Sequence, residues 1–287
     1  MISDSGCPYT LIPASSFSAD ELAEIYNQTR VDYIVPMPMN AKRMQSYVRQ
    51  YDVNLDASYV ICNQAEQVAG LGMLGVRDDR AWITRLGIIP ERRGSGMGQC
   101  LMNALLGAAQ DRCVRLVQLE VIEGNEPAHR LFIRCGFRES RRMLVIRRPP
   151  GKPALESPVP GAVVTPLRPD ELWACLAQRG PGASWLNENT TLVKVEPLEG
   201  LRVKLPSGYT GWVIYQRTTF EITHVIFYAP PSVRDQMMAA LLFHLHDAHP
   251  MQDTKIENYP LVEMNWPLFE RMNYVEMFRR IEMLLQL

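Results

Sequence analysis

Between Ile88 and Met102 the chain places Gly94, Gly96 and Gly98 two residues apart, directly behind the paired Arg92 and Arg93. Such a stretch can aim successive backbone N–H groups at one anion, because glycine reaches backbone angles closed to other residues. A helix beginning there adds its unpaired N–H groups and the positive end of its dipole. Leu101, Met102, Leu105, Leu106 and Ala109 recur at the helical period, which predicts that helix and gives it one buried face. A tight turn would not need three closely spaced glycines behind two arginines. Two familiar phosphate loops fit badly. The G-x-G-x-x-G fingerprint has its third glycine one residue later, and the triphosphate loop requires a lysine that is missing here.

A second block, Leu119 to Phe137, carries a carboxylate inside an apolar run, then Asn125, Ala128, Leu131 and a terminal Gly136-Phe137. Together the two blocks resemble the GNAT superfamily of acetyl-CoA-dependent N-acyltransferases. Arg93, Gly96 and Gly98 stand at the places of its R-x-x-G-x-G/A signature, and the second block follows in the family's order and spacing over roughly residues 9 to 148. The resemblance implies a mixed α/β fold in which two parallel strands splay apart around the pantetheine arm. It implies acetyl-CoA as co-substrate, held by Leu86, Gly87 and Ile88 on the strand, by Arg92, Arg93, Gly94, Ser95, Gly96, Met97 and Gly98 in the cradle, and by Asn125, Ala128 and Phe132 beyond it. Arg92 also reads as an ordinary solvated arginine.

Acetyl transfer to an amine requires a positioned thioester, an uncharged amine and support for an oxyanion. Glu120 stands where several family members carry the carboxylate that accepts the ammonium proton, and Glu123 is the alternative base. Glu120 sits within Leu116 to Ile122, where a carboxylate needs a task or a salt-bridge partner. Phe132 departs from the family pattern. Most members have tyrosine there to protonate the leaving thiolate, and phenylalanine has no proton to give. A thiol with a pKa of about 8.5 leaves tolerably as thiolate, so the substitution implies a slower enzyme, or a protein that binds acyl-CoA without turnover.

Net charge is −1 overall, +2 up to residue 150 and −3 beyond it, far from the basic balance of a nucleic-acid binder. No apolar run approaches membrane-spanning length, which leads to the expectation of a cytoplasmic protein without a membrane partner. The six cysteines have no C-x-x-C spacing and read as free thiols. His244, His246, Asp247 and His249 suggest a metal cluster, but on a helix only His246 and His249 share a face, and no metal is expected. The expected acceptor is a small-molecule or peptide amine, and a homodimer is possible.

Periodicity predicts helices over Ser18 to Arg30 and Ala41 to Tyr51, then strands over Ser58 to Asn63, Val68 to Arg77 and Ala81 to Ile89. After the cradle helix come a strand from Arg115, a helix from Pro127 and a strand from Arg141. Prolines and glycines over 149–162 suggest a linker. At an offset of 137 residues, Leu131 to Phe137 matches Leu268 to Tyr274, which reads as an internal repeat. The expectation is two tandem copies of a mixed α/β GNAT-like fold: residues 1–148 with the acyl-CoA site, and 163–287 degenerate, since Pro230 to Asp235 has no glycine where the cradle would fall.

Overall fold

The computed structural model describes residues 9–65, 67–153 and 158–287. The chain forms two compact units, one of Met1–Ser140 with Ile281–Leu287, the other of Arg141–Arg280.

In the first unit β1 (Thr10–Pro13) leads to α1 (Ala19–Gln28) and α2 (Ala41–Gln50), then to β2 (Tyr59–Cys62), β3 (Val68–Arg77) and β4 (Arg80–Ile88). Next come α3 (Met97–Gln110), β5 (Leu116–Ile122), α4 (Glu126–Arg134) and β6 (Arg138–Arg148). Ser18 caps α1 in a reciprocal pair with Glu21, and Asn40 caps α2, so both starts are fixed locally. Strands β1 to β5 lie in sequence order, antiparallel until β4 meets β5 in parallel. Val117, Leu119 and Val121 alternate onto the face covered by α3, where Leu101, Met102 and Leu105 are buried.

The second unit runs β7 (Val163–Pro166), α5 (Pro169–Ala177), α6 (Asn189–Leu192), β8 (Leu198–Lys204), β9 (Thr210–Arg217) and β10 (Glu221–Tyr228). It continues through α7 (Arg234–Ala248), β11 (Asp253–Pro260), α8 (Trp266–Arg271) and β12 (Val275–Gln286). Element for element this repeats the first unit, so the chain holds two copies of one mixed α/β arrangement.

The boundaries differ from the continuous halves expected from sequence. Ile281 and Met283, near the end of β12, are buried in the first unit's core, while Leu144 and Ile146 of β6 are buried in the second's. The expected ends at 148 and 163 therefore cut through shared material: the last seven residues belong with the first unit and β6 from Arg141 with the second. The expected linker lies within the second unit, except for 154–157, which fall outside the described residues.

The cysteines also need a correction. Cys113, Cys135 and Cys175 are free, whereas Cys100 on α3 is in a disulfide; Cys7 lies outside the described residues. No helix among the described residues is long and apolar enough to cross a membrane.

Candidate acyl-CoA and acceptor site

The two parallel strands β4 and β5 pair only from Arg80↔Leu116 to Ile83↔Leu119. Past that point β4 runs on to Ile88 and β5 to Ile122 without pairing to each other, so a fork opens between them. On its other edge β4 still pairs with β3, through a register shift between Leu71 and Met73, and Arg85 there takes a φ of 54°. A bulge of this kind bends a strand and re-aims its side chains.

A cleft of about 580 Å³ lies at the fork, lined on one side by Leu86, Gly87 and Ile88 and on another by Gly94, Gly96, Met97 and Gly98. Gly94 and Gly96 have φ of 78° and 88°, the left-handed region, and a Cβ on either would meet nothing within 4 Å. Gly98 differs from expectation. It sits inside the first turn of α3, where a Cβ would reach ordinary contact with Leu131, so only two of the three glycines serve the loop's backbone. The α3 N-terminus has no side-chain cap and no acidic residue in its first turn. Its first N–H groups are thus available to an anion, and the site fits the pyrophosphate of a CoA.

Arg93 lines the cleft with its guanidinium committed to neighbours. Its guanidinium makes two bonds to Asp32, both at 2.7 Å, donates to the Thr29 carbonyl at 3.2 Å, and its Nε donates to the Ile88 carbonyl at 3.1 Å. Four contacts from one planar group fasten the end of α1 to β4. The same bond holds the Asp32 carboxyl below its ordinary pKa. Arg30 donates to the Leu86 carbonyl at 2.9 Å and stacks over the Tyr33 ring at 3.9 Å. Gly87 permits this closure, since a Cβ there would fall 2.6 Å from the Thr29 hydroxyl. Arg92 bonds Gln67. Ser95 is exposed and donates to the Arg92 carbonyl.

On α4 the residues Pro127, Arg130, Leu131 and Arg134 line the cleft together with Ala128. Their spacing marks one helical face, a signal by which Arg130 and Arg134 are also legible. Asn125 lines the cleft and caps α4, its side-chain oxygen accepting from the Ala128 N–H at 3.4 Å. Phe132 faces the other way. It is 6% exposed within the core and packs against Phe137 at 6.2 Å between ring centres.

Glu120 is the first residue of β5 past the last pair with β4. Its Oε2 accepts from the Trp82 indole N–H at 2.6 Å. Trp82 packs edge-on to Tyr51 and beside Tyr47, and Tyr47 bonds the Thr84 hydroxyl. Burial raises the Tyr47 pKa above its ordinary value, so it stays a neutral phenol. Arg85 completes the cluster, its guanidinium 4.2 Å over the Tyr47 ring and bonded to the Tyr26 hydroxyl at 2.8 Å. Trp82, Tyr47, Arg85 and Asp32 escape a reading of the sequence, because each acts through partners distant along the chain. Glu123 is exposed in the turn after β5.

The histidines of α7 do not converge. His246 bonds the Tyr274 hydroxyl at 2.8 Å and His249 the Tyr215 hydroxyl at 2.6 Å.

The model of the acetyltransferase (GNAT) family matches residues 20–137. Those residues are a GNAT acetyltransferase domain. The chain is 28% identical over 92 residues to a putative [ribosomal protein bS18]-alanine N-acetyltransferase of Bacillus subtilis, a stretch covering 32% of this chain and 61% of that protein. A GCN5-related N-acetyltransferase from Sphaerobacter thermophilus shares the fold with a TM-score of 0.71 at 16% identity, over 97% of this chain and 96% of that one. A tandem GNAT protein from the clavulanic acid biosynthesis pathway aligns with a TM-score of 0.62 at 14% identity, over 97% and 98% of the two chains. These likenesses extend the GNAT fold to both units.

Proposed function

We propose that this chain transfers an acetyl group from acetyl-CoA to a primary amine. What carries the reading is the meeting, in one cleft, of the fork between β4 and β5 with the uncapped α3 N-terminus and its two left-handed glycines. Bound acetyl-CoA would supply an activated acyl thioester. The chain's own part is to hold the phosphates at Gly94 to Gly98 and to line the arm with Leu86 to Ile88. Glu120, one residue past the last β4–β5 pair and bonded to the Trp82 indole, would take the ammonium proton, with Glu123 in the turn after β5 as the alternative base.

An α-amine suits this site better than a lysine. Neutralising a lysine at pH 7 costs about 4.6 kcal/mol, against about 1.4 for an α-amine with a pKa near 8. The Bacillus relative is named for acetylating an alanine, so a peptide beginning with alanine is the first acceptor to try. Release of free CoA thiol from acetyl-CoA, followed over such peptides and a panel of small amines, tests the reading. One observation favours a second one: Phe132 is a core residue without a hydroxyl, consistent with an acyl-CoA-binding protein of weak turnover. If no amine raises thiol release above the control lacking acceptor, while CoA still binds, that second reading stands.

A further inference from the structure

The second unit keeps the fork. Strands β10 and β11 pair in parallel only at Glu221↔Asp253 and Ile222↔Thr254 and then separate. β10 carries the same kind of bulge, with His224 at a φ of 50° where β4 has Arg85 at 54°. A cavity of about 350 Å³ opens past the last pair. It is no acyl-CoA cleft. Pro230 and Pro231 stand where the cradle would be, and Asp235 already occupies the first turn of α7. At roughly 30 Å³ per water-sized group, the space holds only about a dozen heavy atoms.

The walls combine an apolar body with an unequal charge balance. Val225, Phe227, Met238 and Ile256 supply the apolar part. Of the two lining carboxylates, Glu263 pairs with Arg234 at 2.5 Å, and Glu257 is held by Lys255 at 2.7 Å and Arg280 at 2.9 Å. Arg179, with Glu188 in its field, donates its Nη1 to two neutral oxygens, the Asn187 carbonyl and the Asn189 side chain. With Arg179 and the Glu188 in its field counted, four cations stand against three carboxylates around the cavity, a balance positive by one that favours a negative guest. Ser184 lines it too, only 3% exposed, with a buried hydroxyl that has no hydrogen-bond partner. An orphaned buried hydroxyl in a native fold calls for an explanation, and a ligand oxygen is one.

We propose that the cavity between β10 and β11 binds a small carboxylate with an apolar body, its oxygens taken by the Ser184 hydroxyl and the Arg179 guanidinium. Aliphatic acids and α-amino acids share this chemistry, and the ammonium of an amino acid would fall among Glu257 and Glu263.

Calorimetric titration of the full chain with 4-methylpentanoate, leucine and the uncharged 4-methylpentanamide tests the proposal. At least one of the two carboxylates should saturate with one site per chain, and the amide should bind at least about tenfold more weakly. Tighter binding of leucine than of the acid identifies amino acids as the source, and the reverse identifies plain acids. Ser184→Ala should weaken the bound carboxylate about fivefold while leaving the ligand-free melting temperature unchanged or higher, because it removes an unsatisfied group. Gly96→Val, in the other unit, should leave carboxylate binding intact. The proposal is overturned if neither carboxylate binds more tightly than about 1 mM, if Ser184→Ala leaves the affinity unchanged, or if CoA competes with the probe.

Discussion

Gly96 holds a φ of 88° with open space where a side chain would project, so its cost to the free protein and its value to a ligand can be separated. Gly96→Val places a β-branched residue in a left-handed conformation, at about 1–3 kcal/mol, and projects its methyls into the cradle. CoA affinity should fall at least about tenfold by calorimetry, more than a modest loss of stability explains. Glu120→Gln is the complementary change. The amide oxygen still accepts from Trp82, so acetyl-CoA affinity should stay within about twofold, while the amine-dependent turnover falls about 100-fold or more for want of a base. Equal turnover would remove Glu120 from the chemistry. Both residues are legible in the sequence, because a glycine's backbone freedom and a carboxylate in an apolar strand are local signals. The partners of Arg93 are not. Asp32 lies 61 residues away, and nothing near either residue encodes their pairing, which turns the signature arginine from a candidate phosphate ligand into the clasp between α1 and β4.

At the scale of elements, the helical and alternating periods locate most of the secondary structure within a few residues, since each reports a face that must be buried. What a period does not report is the neighbour on that face. The short strand β1 is missed because its four residues give too little alternation, and the exchange at the chain's end is missed because β12 reads the same whichever unit its end belongs to. Yet the first unit depends on it. Ile281 is 7% exposed and Met283 fully buried, each contributing about 1.5–3 kcal/mol by burial against a typical total of 5–15. A chain ending at Arg280 should therefore lose CoA binding and cooperative melting of the first unit, although it lacks no residue of the cleft. Met283→Ala should act the same way more gently, lowering stability by about 2–5 kcal/mol. A chain of residues 1–280 that bound CoA like the intact protein would show that the terminal strand is not part of that core. The same reasoning leads us to expect aggregation of a fragment ending at Arg148, which has lost this strand and exposes β6.

For the molecule as a whole, duplication has left two forks and one anion cradle, and calorimetry should count one CoA per chain. The second copy carries four partly or wholly buried histidines, and this makes its stability depend on pH in a foreseeable direction. Burial lowers the pKa of His224, His244, His246 and His249 below the ordinary 6.5, and His246 is lowered most, by its burial first and then by the fields of Arg148 and His249. The folded state therefore binds fewer protons than the unfolded chain once the pH drops below about 6.5, and stability must fall with pH from there. Glu257 adds a second window. Its side chain keeps 31% of its surface exposed; the desolvation it suffers opposes ionisation but is outweighed by Arg280 and Lys255, which bring its pKa down to about 2 from 4.5. Its contribution is complete above 4.5 and is lost as the pH falls toward 2. Denaturant unfolding followed by tryptophan fluorescence should report this in the second unit, where Trp185 and Trp212 are buried, as a midpoint that drops between pH 7.5 and 5.5. His246→Gln, able to keep a bond to the Tyr274 hydroxyl but unable to take up a proton, should flatten part of that drop. A midpoint independent of pH over this range, or a drop that the substitution leaves unchanged, would mean that the buried histidines are not what couples this fold to protons.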